Sequence, residues 1–222
     1  MGKYVVIDLE MCPVASDMRR YFRCRHEIIQ IGAALMNEEF EIVDTFSCFV
    51  RPGFGKLDAF IQGLTGISWA DLKDAPDLAD ALQRFLAWLP DETVTAVAWS
   101  NSDESQLRRE MGRKGLSWEN LSLRIGSWID CQAMFGGKMN INRSYSLQEA
   151  LVAADVFSEG RAHNGLDDAY NTALLFRKLM TEDKLRLNPY YEEAHRSDRG
   201  AALQFSLGDL LQGLKLEPGL SA

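Results

Sequence analysis

The run Tyr4-Val5-Val6-Ile7-Asp8-Leu9-Glu10 constrains the fold most. Its short, apolar, β-branched start reads as a buried strand over residues 4–8, and the strand ends in a carboxylate. Side chains alternate across a strand, so residues i and i+2 share a face and Asp8 and Glu10 point to one spot. Two carboxylates held together repel each other, and burial adds a desolvation penalty. A hard divalent cation with oxygen ligands relieves both. The plainer alternative leaves both acids facing solvent at a strand end.

The rest of the chain alternates strand and helix signals. Residues 28–36 and 42–50 read as two more strands, divided by the polar turn Asn37-Glu38-Glu39. A loop containing Leu64-Thr65-Gly66-Ile67 follows. Pro76 suits a first helical position, and Leu78, Leu82, Phe85, Leu86 and Leu89 share one helical face before Pro90 stops the helix. Residues 93–99 read as a strand and about 103–114 as a helix, with Gly115 as its C-terminal cap. A short strand is expected at 128–131. Ser146-Leu147-Gln148-Glu149 is a capping-box pattern, and a last strong helix is expected over 166–180. The pattern implies an α/β fold, a mixed sheet with helices on both faces. Residues 1–182 would form one domain and 183–222 a C-terminal extension, partly helical, with an amphipathic segment at 206–216.

Composition excludes several classes. The chain has 222 residues, 46% of them hydrophobic, enough for one core. No segment has the roughly 20 apolar residues of a membrane helix, and the apolar start is too brief for an export signal. The four cysteines form no C-x-x-C pair, which points to reduced thiols rather than zinc or disulfides. A cytoplasmic protein is the expectation. The net charge of −8 disfavours nucleic acid as a partner only until the acids are counted as cation ligands, which reverse the local field.

Two further groups carry chemistry. In His163-Asn164-Gly165-Leu166-Asp167-Asp168-Ala169 an imidazole on a loop precedes a carboxylate in the first turn of a helix. Histidine ordinarily titrates near neutrality, as a general base must. The bland reading makes Asp167 and Asp168 favourable charges at a helix N-terminus. Asp103, after the strand ending at Trp99, has the equally bland reading of an N-cap or first-turn acid.

As an ordered set these segments are similar to the three motifs of the DnaQ-like, DEDDh-type 3′→5′ exonucleases of the ribonuclease H-like superfamily. Val6-Ile7-Asp8-Leu9-Glu10 resembles the first motif. Trp99-Ser100-Asn101-Ser102-Asp103 resembles the second in its Eri-type and sporulation-inhibitor-like flavour, with Ser100-Asn101-Ser102 where many members carry Asn and Phe. His163 and Asp168 resemble the third, H-x-x-x-x-D. Glu27-Ile28-Ile29-Gln30-Ile31-Gly32, Leu64-Thr65-Gly66-Ile67 and Ser146-Leu147 are supporting matches, and the likeness covers about residues 4–180.

The resemblance implies a five-stranded sheet and a metal-dependent exonuclease acting on 3′ ends of single-stranded RNA or DNA, with RNA favoured. It implies that Asp8, Glu10 and Asp168 hold two Mg²⁺ or Mn²⁺ ions with help from Asp103, and that His163 takes the proton of the attacking water. The motif spacing selects Asp168 over Asp167. Backbone amides near Met11 and Cys12 would meet the terminal nucleotide, and Leu64 would either wedge against its base or pack in the core. Arg20 and Arg23, in the basic stretch after Glu10, would hold phosphates at the border of the site, or form a solvated turn. Tyr21 and Phe22 would stack on bases, or one of these aromatics would be buried beneath that turn. The contrasting expectation is a binding or regulatory module with the nuclease fold and little turnover. The sequence leaves a homodimer and other protein partners open.

Overall fold

The computed structural model describes residues 3–140 and 143–194. Five strands form one sheet in the order β3-β2-β1-β4-β5. They are β1 (Tyr4–Pro13), β2 (His26–Met36), β3 (Ile42–Phe49), β4 (Val94–Ala98) and β5 (Ile125–Asp130). The first three run as an antiparallel meander, while β4 and β5 add parallel to the other edge of β1. The expected mixed five-stranded sheet is present.

Strand alternation sorts the core into two layers. Val5, Ile7 and Leu9 of β1 point to one face, with Val94 and Ala96 of β4. There they meet α4 (Leu78–Trp88), α5 (Ser102–Arg113) and α6 (Trp118–Arg124). Val6 and Val97 point to the other face, against α7 (Cys131–Met139), α8 (Leu147–Ala153) and α9 (Gly165–Thr181). Each layer excludes water from one side of the sheet, and β1 at the centre is sealed on both. Asp8 and Glu10 have the parity of Val6, so they lie on the α9 face.

Several boundaries differ from expectation for identifiable reasons. Helix α4 begins at Leu78, not Pro76, because the Asp77 side chain accepts a hydrogen bond from Asp80 N–H and takes the cap. Strand β5 starts at Ile125, three residues early, and yields to α7 at Cys131, where Asp130 caps Ala133 N–H. The Leu64 loop is helical: α2 (Ala59–Thr65) ends at Gly66 with φ +75°, and α3 (Trp69–Leu72) follows. A four-residue helix α1 (Arg19–Phe22) lies between β1 and β2. These pieces are too short to show a 3.6-residue period.

Within the segment expected to be a C-terminal extension, α10 (Pro189–Ala194) packs Tyr191 into the second core layer, and Asn188 N–H bonds to Ala153 C=O. The amphipathic segment expected at 206–216 lies outside the described residues. Among the described residues no helix is long and apolar enough to cross a membrane.

Candidate active site

Register builds the site. In the β1–β2 ladder Asp8 lies opposite Gly32 and Glu10 opposite Gln30. The first turn of α9 rests on that pair. A Cβ on Gly32 would lie 2.0 Å from the Gly165 carbonyl carbon and 2.3 Å from Leu166 N, so only glycine lets the helix approach. Beside it the buried Gln30 accepts Gly165 N–H at 3.0 Å through Oε1. Asn164 caps α9 by accepting the Leu166 and Asp167 amides. Asp168, one turn in, is thereby set against the acids of β1.

The two adjacent aspartates part ways. Asp168 is buried; its Oδ2 accepts His163 N–H at 2.8 Å, and its Oδ1 is buried with no hydrogen-bond partner. Asp167 turns outward, where its Oδ2 accepts Arg161 N–H at 2.8 Å. His163 takes a left-handed backbone with φ 62°, which aims its amide at Asp168 and leaves its ring exposed. One ligand atom each from Glu10, His163 and Asp168 fall within 4.8 Å of one another.

Asp103 arrives from the opposite layer. It sits in the first turn of α5, but its carboxylate does not cap that helix: Oδ1 accepts Leu9 N–H at 3.2 Å, between Asp8 and Glu10 in sequence. The Ser102 hydroxyl holds Oδ2 at 3.3 Å, so the Ser-Asn-Ser stretch supports the acid that follows it.

Burial and mutual repulsion make these acids reluctant to ionise. Burial pushes Asp8 well above the usual carboxylate range, and Asp103, Asp168 and Glu10 push it further. Glu10 rises to about 7, from burial and then from Asp168 and Asp103. Asp103 rises to about 6 through burial, against the pull of Leu9 N–H and the Ser102 hydroxyl. Burial also raises Asp168, although His163 N–H draws it back. Among the described residues no lysine or arginine pairs with any of the four. Clustered oxygen ligands with no cation, one of them an orphaned buried oxygen, fit a hard divalent ion.

A family model described as an exonuclease, RNase_T, matches residues 5–176. The chain belongs to that family, the DnaQ-like DEDDh exonucleases of the ribonuclease H-like superfamily. It is 28% identical to the rat 3′-5′ exoribonuclease 1 over 73% of its own length and 50% of the relative's. It is 32% identical to the zebrafish (Danio rerio) ERI1 exoribonuclease 2 over 80% of its length and 35% of that protein's. The chain thus spans half or less of these relatives. Its fold matches the nuclease domain of 3′hExo, a DEDDh family member bound to rAMP, with a TM-score of 0.71 at 24% identity. That match covers 84% of this chain and 96% of the domain.

The peripheral expectations fare differently. Leu64 is half-buried near the end of α2, and its carbonyl, like that of Gly63, accepts the Arg161 guanidinium. That link ties the loop before His163 to α2. Met11 pairs with Ile28 after a bulge in β1 and packs on the first core layer. The Cys12 side chain is fully buried toward the loop at Gly55. Arg20 and Arg23 do not border the acids. They line a separate cavity with Arg51 and Arg113, at the far end of α5 from Asp103. Phe22 is buried against Phe54, so of the two aromatics only Tyr21 is free to stack. Sequence reasoning did not foresee the roles of Gln30, Gly32 and Arg161; Gln30 and Gly32 carried a signal, lying inside a segment that resembled the family.

Proposed function

We propose that this chain is a metal-dependent 3′→5′ exonuclease that hydrolyses the terminal phosphodiester of single-stranded nucleic acid and releases 5′-mononucleotides. RNA is the favoured substrate, supported by the two exoribonuclease relatives. One observation carries the reading: the buried, unpartnered Asp168 Oδ1 beside Glu10 and the exposed His163 ring.

Asp8, Glu10 and Asp168 would hold two Mg²⁺ or Mn²⁺ ions, and Asp103 would complete the set from α5. When bound, the ions polarise the phosphoryl group and stabilise charge on the attacking and leaving oxygens. The remaining work falls to the chain. The His163 imidazole, held at the rim by the hydrogen bond its backbone N–H donates to Asp168, accepts one proton from the attacking water. A P–O bond forms to that water as the bond to the 3′-oxygen of the preceding nucleotide breaks. The departing 3′-oxygen takes a proton from solvent, so the shortened strand keeps a 3′-hydroxyl, and the phosphate leaves on the released nucleotide. Gln30 and Gly32 hold α9 at the distance that keeps Asp168 in the cluster.

A 5′-labelled oligonucleotide incubated with Mg²⁺, Mn²⁺ or EDTA tests the reading. Stepwise shortening with either metal is expected, and none in EDTA. Shortening that persists in EDTA, or that vanishes from no variant of Asp8, would contradict it.

A further inference from the structure

The face where Arg20 and Arg23 lie carries a second site. A cavity of about 920 Å³ opens between α1, the loop after β3, and the C-terminal end of α5. Arg20, Arg23, Arg51 and Arg113 line it against one carboxylate, Asp77, whose Oδ1 accepts Asp80 N–H, and among the described residues no carboxylate pairs with any of the four arginines. Four unpaired guanidiniums converging in a chain of net charge −8 are a local reversal of the field. The wall is also built rather than incidental. Glu27, fully buried, accepts the amides of Gly53 at 3.0 Å and Phe54 at 2.6 Å, together with that of Gly55, and pairs with Lys114 at 2.9 Å. Phe54 is thereby fixed against Phe22, while the Tyr21 ring stands 80% exposed at the mouth.

Helix α5 runs from the acids to this cavity. Asp103 begins α5 and Arg113 ends it, ten residues later, or about 15 Å along the axis. Arg109 lies one turn before Arg113. Its charge bears on Cys24 with that of Arg113, and on His26 with those of Arg19 and Arg25.

We infer that this cavity holds the phosphodiester backbone of the substrate strand upstream of its 3′ end, with Tyr21 as a stacking surface for a base. The inference rests on the exonuclease reading and adds a second anchor to it. At 3.4 Å per nucleotide of a stacked strand, about 15 Å corresponds to roughly four nucleotides. Strands longer than that reach both sites, and shorter ones reach only the acids.

The test uses the full chain and its Arg51→Ala/Arg113→Ala variant. Anisotropy of a 5′-fluorescent strand of about 20 nucleotides with phosphorothioate linkages, which resist hydrolysis, is measured in Mg²⁺ across a salt series, with a like strand of about 4 nucleotides in parallel. On the long strand the variant is expected to bind roughly tenfold more weakly at 0.1 M salt. Its log–log salt slope is expected to shrink by about 1.4, two contacts at about 0.7 each. Short-strand binding should not change, and Arg51→Lys/Arg113→Lys should retain most of the slope. Equal affinity and slope for variant and wild type would overturn the inference, as would an equal loss on both strands. AMP that raises the melting temperature of the wild type but not of the alanine variant would assign the cavity to a free nucleotide and overturn it too. Hydrolysis of the unmodified long strand by wild type in Mg²⁺, run alongside, reports on the exonuclease reading separately.

Discussion

Replacing Gly32 by alanine perturbs the site without touching any acid. The new Cβ would meet the backbone of Gly165 and Leu166 at 2.0–2.3 Å, where ordinary contact begins at 3.4 Å. Backbone at a helix start cannot rotate aside as a side chain can. The N-terminus of α9 must therefore retreat from β2 by about 1.4 Å, the gap between those distances. The retreat stretches the Gly165–Gln30 hydrogen bond from 3.0 Å to beyond bonding range and carries Asp168 off the cluster. Overpacking costs about 1–3 kcal/mol, and a buried Gln30 oxygen left without its donor adds about 1–3 kcal/mol. At roughly 2–4 °C per kcal/mol for a chain of this size, the melting temperature should fall by about 4–24 °C. A displacement near 1 Å at a catalytic group lowers turnover about 100-fold. Differential scanning fluorimetry and steady-state hydrolysis read the two effects. The control is Gly137→Ala on α7, where an added Cβ has nothing within 4 Å and should change neither. Gly32→Ala with full turnover and an unshifted melting curve would refute the argument that α9 is held to the acids by that contact.

His163→Ala should lower kcat by about 10²–10⁴-fold and leave the melting temperature near wild type, since its exposed ring is not part of the core; a change confined to KM would contradict its role as a base. Asp168→Asn should abolish most turnover, while Asp167→Asn, which only weakens the hold on Arg161 N–H, should cost about tenfold; single-turnover assays on both separate the pair. Metal-free stability should depend on pH in a defined direction. Glu10 and Asp103 titrate in the fold at about 7 and about 6, above their ordinary 4.5 and 3.8, so the folded state favours the protonated acids. That stability is fully present below about pH 4 and is lost as pH rises through 6 to 7. For Glu10 alone it is on the order of 3 kcal/mol. Melting curves in EDTA should fall over that window, Glu10→Gln should flatten the fall, and a rising curve would contradict the sign.

What the sequence disclosed of this site follows from short-range periods. Alternation of two along Tyr4-Val5-Val6-Ile7-Asp8-Leu9-Glu10 placed both acids on one face; the last long helix put Asp167 and Asp168 at its start, and the likeness to the family chose Asp168. Asp103 was legible only through the ordered likeness to a family, because its partner, Leu9 N–H, is 94 residues away. The rest depended on contacts without a local signature. Glu27 bends the loop 26–28 residues downstream by accepting three amides, and that contact shapes the wall of the cavity where Arg20 and Arg23 lie, away from the acids. Likewise, Gln30 and Gly32 read as ordinary members of a buried strand until α9 is packed on them.

The central claim is that four carboxylates from three distant segments form one divalent-metal site. Titration of Mn²⁺ into the metal-free chain at pH 7.5, followed by the loss of the free-ion electron paramagnetic resonance signal, tests it most directly. Two ions bound per wild-type chain, and loss of that binding in Asp8→Asn with the fold intact, are the results expected. No binding at millimolar Mn²⁺, or binding that Asp8→Asn leaves unaltered, would contradict the account.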